Sequence, residues 1–261
     1  MTPPFGIDLR YTLSGLLVGL LVGQTGVGGG SLMTPLLVLM FGVPPAMAVG
    51  TDLLYASATK CVGTVVHGLG NTLNWQIVRR LASGSLPGTV LGLAILAQLN
   101  VSASEQHWTS LLLGIMLILT AISLLFRSQV LVWLGPWMEG MSTGRQRGLT
   151  VLTGLLLGLF VTMTSVGAGA LGMTALLLLY PRERLSVLVG TDIAHAVPLT
   201  LLAGMGHLWL GSVDTTLLAG LLAGSIPGII IGSWLVTRLP ESMLRRILAA
   251  VLIVVGLRIV F

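Results

Sequence analysis

Apolar residues fill this chain in long blocks, interrupted at few and regular places by glycine, proline or charge. Eight blocks can be marked, at roughly 11–41, 46–67, 81–100 and 108–126, then 149–180, 185–208, 213–237 and 243–261. An apolar run of about 18 residues or more is long enough to cross a bilayer as an α-helix. The pattern therefore predicts an all-α polytopic membrane protein. The block that opens each half is longer than the rest and is broken near its middle by glycine. The first break reads Thr25-Gly26-Val27-Gly28-Gly29-Gly30-Ser31, and the second Thr164-Ser165-Val166-Gly167-Ala168-Gly169. Glycine costs about 1 kcal/mol relative to alanine inside a helix, so runs of it at membrane depth predict interruptions.

The breaks belong to a duplication. At an offset of 140 residues, Gly50-Thr51-Asp52 matches Gly190-Thr191-Asp192, and His67 matches His207. Gly84-Ser85-Leu86-Pro87-Gly88 matches Gly224-Ser225-Ile226-Pro227-Gly228, and Gly92 matches Gly232. Hydrophobic composition produces chance leucine and valine matches, but not these polar and glycine motifs in register. Residues 9–126 and 148–261 read as two copies of one unit, joined by a charged, glycine-containing linker at 127–147. Such duplication is common in transporters, whose sites lie at the repeat interface.

Composition agrees with the pattern: 54% of residues are hydrophobic, 8% are charged, and the mean hydropathy is +1.00. A soluble domain carries about 25% charged residues. The formal net charge of +5 therefore marks topology rather than nucleic-acid binding. With eight crossings the repeats are parallel and the arginines divide almost evenly. With blocks 11–41 and 149–180 re-entrant, six crossings remain and the repeats are inverted. Arg79, Arg80, Arg127, Arg145, Arg147, Arg182, Arg184, Arg238, Arg245 and Arg246 then share one face, leaving only Arg10 and Arg258 on the other. That bias selects the inverted arrangement: a re-entrant broken helix plus three transmembrane helices per repeat, the linker cytoplasmic and both termini outside. The N-terminal MTPPFGIDLR lacks the basic start of a cleavable signal. The single cysteine, Cys61, excludes an internal disulfide and reads as a small buried hydrophobe.

Irregular backbone at membrane depth is tolerated where it lines a cavity or is buried in protein; close packing of small residues is the blander use of such glycines. A half-helix is expected from about Ser31 and another from about Ala170, with Thr34-Pro35 as a local start. A helix N-terminus carries free N–H groups and about half a positive charge. With Thr25, Ser31, Thr164 and Ser165 beside Gly28, Gly29, Gly30, Gly167 and Gly169, and no lysine or arginine in either tip, the chemistry favours a small anion. Thr51 and Thr191 join this candidate substrate-binding set.

Asp52, Lys60, Asp192 and His195 fall inside expected spans, where a charge costs about 2.5–3.5 kcal/mol at the helix centre. His195 follows Asp192 by three residues on the same helix face, a credible proton relay. Lys60 lies eight positions after Asp52, about 80° around the helix. The alternative is structural: Gly-Thr-Asp also reads as a local break with a cap. His67 and His207 read as interface hydrogen-bonding groups. No Ser-His-Asp order, HExxH or Cys/His cluster occurs, so neither an enzyme nor a metal site is expected, and no cofactor.

The glycine breaks, VGGG and VGAG, each followed by Gly-Thr in the next helix, resemble the TauE/SafE family of sulfite and organosulfonate exporters over nearly the whole chain. The resemblance implies export of sulfite, a related sulfur oxyanion or a sulfonate across a bacterial-type inner membrane. Asp52 and Asp192 stand where the family pattern often has serine, which leaves substrate and coupling ion open. Partners are expected to be a small anionic solute and membrane lipid, not nucleic acid, with a homodimer left open. An anion channel, an importer of another small organic anion and an intramembrane enzyme built on Asp192 and His195 are the competing readings; the last lacks a nucleophile.

Overall fold

The computed structural model describes residues 9–25, 30–99, 105–138 and 140–234, with 249–250, 252–254 and 256–257. Among the described residues are nine α-helices: α1 (Leu9–Thr25), α2 (Gly30–Phe41), α3 (Pro45–Leu69), α4 (Trp75–Leu99), α5 (Glu105–Met138), α6 (Thr143–Thr164), α7 (Ala170–Leu179), α8 (Leu185–Trp209) and α9 (Thr215–Trp234). Ala249 and Leu252 pack with Leu113 and Leu117 of α5. Among the described residues five helices, α4, α5, α6, α8 and α9, are long and apolar enough to cross a membrane, and α1, α2 and α7 contain shorter apolar stretches. Leucines, valines and tryptophans stand exposed along them, as on a surface solvated by lipid.

Each half begins with a broken helix, α1 then α2 and α6 then α7. Residues 26–29, with Gly28 and Gly29, lie outside the described residues, as do the side chains of Thr25 and Ser31. The second break is described throughout. Ser165 is left-handed at φ 57°, and Gly167 has φ +106°, a region that disfavours any side chain. The chain then turns back as α7. Gln146 Nε2 donates to the Leu179 carbonyl at 2.6 Å, and the hydroxyls of Thr150 and Tyr180 lie 2.8 Å apart. The hairpin thus enters and leaves at the same end of the bundle.

Glycine sets the packing between halves. A Cβ on Gly84 or Gly88 would strike the carbonyl of Val151 or Leu155, and one on Gly224, Gly228 or Gly232 that of Thr12, Leu16 or Leu20. Successive glycines meet successive turns in the same order, so α4 runs parallel to α6 and α9 parallel to α1. Small residues four apart let backbones approach this closely. The first helix of each half thereby packs on the third full-length helix of the other, the most extensive pairings in the fold.

The equivalent helices α3 and α8 pack antiparallel. Near the start of α3, Gly50 meets the Ser212 carbonyl beyond the end of α8; near the start of α8, Gly190 meets the Thr72 carbonyl beyond the end of α3. Thr51 Oγ1 accepts the Asp214 N–H at 3.0 Å, and Thr191 Oγ1 accepts the Asn74 N–H at 3.0 Å. The Gly-Thr-Asp motifs therefore lie inside continuous helices, not at breaks. Their glycine admits the opposite loop and their threonine anchors it.

Two boundaries differ from expectation. The helix expected at 81–100 begins at Trp75, because Asn74 Oδ1 accepts the N–H groups of Gln76 and Ile77, an N-cap. The helix expected at 108–126 continues to Met138 through most of the 127–147 segment. The apolar run Val130 to Leu134 keeps it going, and Trp133 and Trp137 are exposed near its end. At 1.5 Å per residue it is about 51 Å long, more than a ~30 Å hydrocarbon core. The half-helix α2 starts at Gly30, so Pro35 lies inside it rather than at its start.

Candidate functional site

Residues Thr164 to Ala170 are all buried. The Thr164 hydroxyl donates to the Phe160 carbonyl at 2.8 Å and accepts from the Val166 N–H at 3.3 Å, which fixes the start of the turn. The Gly167 carbonyl accepts from Leu171 and Gly172 at 3.0 and 3.2 Å. The N–H groups of Gly167, Ala168 and Gly169 donate to no described residue. Buried backbone donors are almost always paired. Three in succession stand at the N-terminus of the ten-residue helix α7, where free N–H groups favour negative charge.

Asp52 stands beside this turn. Its Oδ2 accepts the Ser165 hydroxyl at 2.9 Å and also the Thr34 hydroxyl from α2. Its Oδ1 is buried without a hydrogen-bond partner among the described residues. One carboxylate oxygen thus joins the broken helix of each half. Asp192 is also buried, with Oδ1 unpartnered; a Cβ on Gly172, in the first turn of α7, would crowd that oxygen. Lys60 is buried on the same helix as Asp52, and Asp192 and Asp52 are the carboxylates that act on it electrostatically. Position 200, its counterpart in the second half, is threonine.

The expected Asp192–His195 hydrogen bond is not formed. His195 Nε2 instead lies 2.9 Å from the Ser85 hydroxyl of α4, and Nδ1 is unpartnered. Three residues on a helix share a face but do not compel contact, and the nearer hydroxyl took the bond. His207 Nε2 meets the Thr162 carbonyl at 2.8 Å, and His67 Nδ1 the Thr72 hydroxyl at 2.9 Å. Thr51 and Thr191 are occupied by the opposite loops. Gly169 immediately precedes α7 at φ −84°. Of the candidate residues, the structure brings together Ser165, Gly167, Gly169 and Asp52, with Asp192 and Lys60 nearby.

Sequence reasoning missed Thr34, Ser85, Tyr55 and Gly172. A signal existed for three of them. Ser85 lies within the duplicated Gly-Ser-x-Pro-Gly, Thr34 is matched by Thr174, and Tyr55 holds the position equivalent to His195.

A helical bundle of apolar faces, with two broken helices and a buried charged centre at the junction of its halves, has the architecture of a membrane transport protein. The chain belongs to the sulfite exporter TauE/SafE family, whose model matches residues 11–259. It is 43% identical over 259 residues to the probable membrane transporter protein YjnA of Bacillus subtilis strain 168, covering 97% of this chain and 100% of that one. It is 25% identical to the probable membrane transporter protein YdhB of the same organism, covering 94% and 97%. A probable membrane transporter protein of Xylella fastidiosa strain 9a5c is 26% identical, with 95% and 93% covered. No solved structure matches.

Proposed function

We propose that this protein is a secondary transporter that exports a small sulfur oxyanion or organosulfonate across the cell's inner membrane. The anion is held at the glycine tips near the bilayer midplane. The two halves are inverted, each opening with a re-entrant hairpin, and both termini lie outside. The observation that carries this reading is the run of buried N–H groups at Gly167, Ala168 and Gly169 that donate to no described residue. The antiparallel packing of α3 and α8 supports inversion, and the family's description supports the substrate class. Coupling is assigned to the buried set Asp52, Lys60, Asp192 and His195, whose cost in lipid argues for use.

Thermal unfolding of the purified protein with sulfite, sulfate, sulfonates and carboxylates tests the reading. A ligand at about 100 times its Kd stabilises the folded state by about 2.7 kcal/mol. Sulfite or a sulfonate is expected to raise the unfolding midpoint more than a carboxylate of similar size. No rise with any oxyanion counts against the site. Steady current in bilayer recordings without a coupling gradient identifies a channel instead.

A further inference from the structure

We propose that anion binding is linked to protonation of Asp52, and that ionised Asp52 and the bound anion exclude each other at one turn. This rests on the reading of 165–169 as the anion site. Ser165, whose hydroxyl serves the Asp52 carboxylate, is the residue from which the turn begins. The N–H groups that donate to no described residue start two residues later. A carboxylate held here already answers the positive end of α7. A second negative charge at the same turn meets like-charge repulsion in a site with little water to screen it.

Asp52 is built to take a proton without losing its place. Both hydroxyl bonds, from Thr34 and Ser165, go to Oδ2, while Oδ1 is buried and has no partner among the described residues. A proton from water that binds Oδ1 neutralises the group and leaves the link between the two broken helices intact. The groups facing Asp52 on its own helix are Lys60 and Tyr55. The described residues of α2, the 165–169 turn and α9 hold no titratable side chain. From α8, Asp192 and His195 face Lys60. An anion that enters beside ionised Asp52 adds a second negative charge at the turn unless a proton enters too. Asp192 differs in that no tip residue donates a hydrogen bond to it among the described residues.

Binding of methanesulfonate, which keeps one charge over the working pH range, separates these roles. Its affinity is measured by thermal shift over a pH series at constant ionic strength. For the unaltered protein, affinity is expected to rise about tenfold per unit fall in pH across the range where Asp52 ionises, the signature of one linked proton. Asp52→Asn and Asp52→Ser, two neutral replacements of different size, are expected to bind with an affinity that no longer depends on pH. Asp192→Asn is expected to retain the slope. A flat profile in the unaltered protein overturns the proposal, as does a slope that survives both Asp52 replacements or is lost in Asp192→Asn. If methanesulfonate, sulfite and sulfate all fail to bind the unaltered protein at any pH, the anion site itself is wrong, and the proton's role falls with it.

Discussion

His195 Nε2 lies 2.9 Å from the hydroxyl of Ser85, a residue 110 positions earlier and on the other half of the chain. The equivalent positions in the duplicate are Tyr55 and Ser225, which are both buried. The serine of each Gly-Ser-x-Pro-Gly motif thus meets the opposite half's central helix, but Ser225 Oγ lies 3.3 Å from the Thr59 hydroxyl, one turn beyond Tyr55. Ser85→Ala strands a second ring nitrogen of His195 and is expected to cost about 1–3 kcal/mol. His195→Gln keeps a group able to bond Ser85 and should cost less. A double-mutant cycle on thermal stability is expected to give a coupling of about 0.5–3 kcal/mol; strict additivity removes the bond from the account.

Gly88 and Gly148 are both helical, yet alanine should act oppositely at them. A methyl at Gly88 strikes the Leu155 carbonyl, whereas nothing lies within 4 Å of one at Gly148. Gly88→Ala is expected to destabilise by about 1–3 kcal/mol through overpacking. Gly148→Ala is expected to stabilise by up to about 1 kcal/mol. Unfolding midpoints in one detergent compare them directly, and equal midpoints refute the close packing of α4 on α6.

Gly167→Ala places a side chain at φ +106°, with its methyl 3.0 Å from Leu171 Cδ1. The backbone strain is about 1–3 kcal/mol, and the N–H groups there must shift to relieve it. Sulfonate affinity is expected to fall at least about tenfold, the equivalent of about 1.4 kcal/mol, with membrane insertion unchanged. Ala168→Gly, one residue on, restores the glycine found at Gly29 and should bind near normally. Normal binding by Gly167→Ala would put the anion elsewhere.

Thr143 begins α6 and Thr215 begins α9, and both are exposed. The proposed topology puts Thr143 on the arginine-rich cytoplasmic face and Thr215 on the other. Single cysteines at each, in a Cys61→Ala background because Cys61 is exposed, are expected to react with an impermeant maleimide from opposite sides. Reaction of both from one side refutes the inverted arrangement.

The apolar blocks made the helices legible because bilayer thickness imposes a length that composition must fill. The glycine break at 165–169 was legible because no other residue suits Gly167. Helix ends were less so. The Asn74 cap is masked in sequence by the arginines that follow it, and the tryptophans past Arg127 read as linker. The partners of the buried polar groups were not legible. Periodicity places Asp192 and His195 on one face, but the hydroxyl that His195 meets comes from a helix 110 residues earlier in sequence. Cys61, read as buried, is exposed, since in lipid an apolar outer face looks like a core in sequence.

The crosswise glycine pairing has a consequence for assembly. α1 packs on α9 and α6 on α4, and within its own half α1 touches little beyond α2. A half-length polypeptide ending after α5 would carry two glycine-faced helices with nothing to receive them. Only a second half-length polypeptide could supply the missing faces, seated in the reciprocal orientation. The two halves are therefore interlocked rather than tethered, and severing the chain between α5 and α6 should leave fragments that co-purify when made together and fail when made alone.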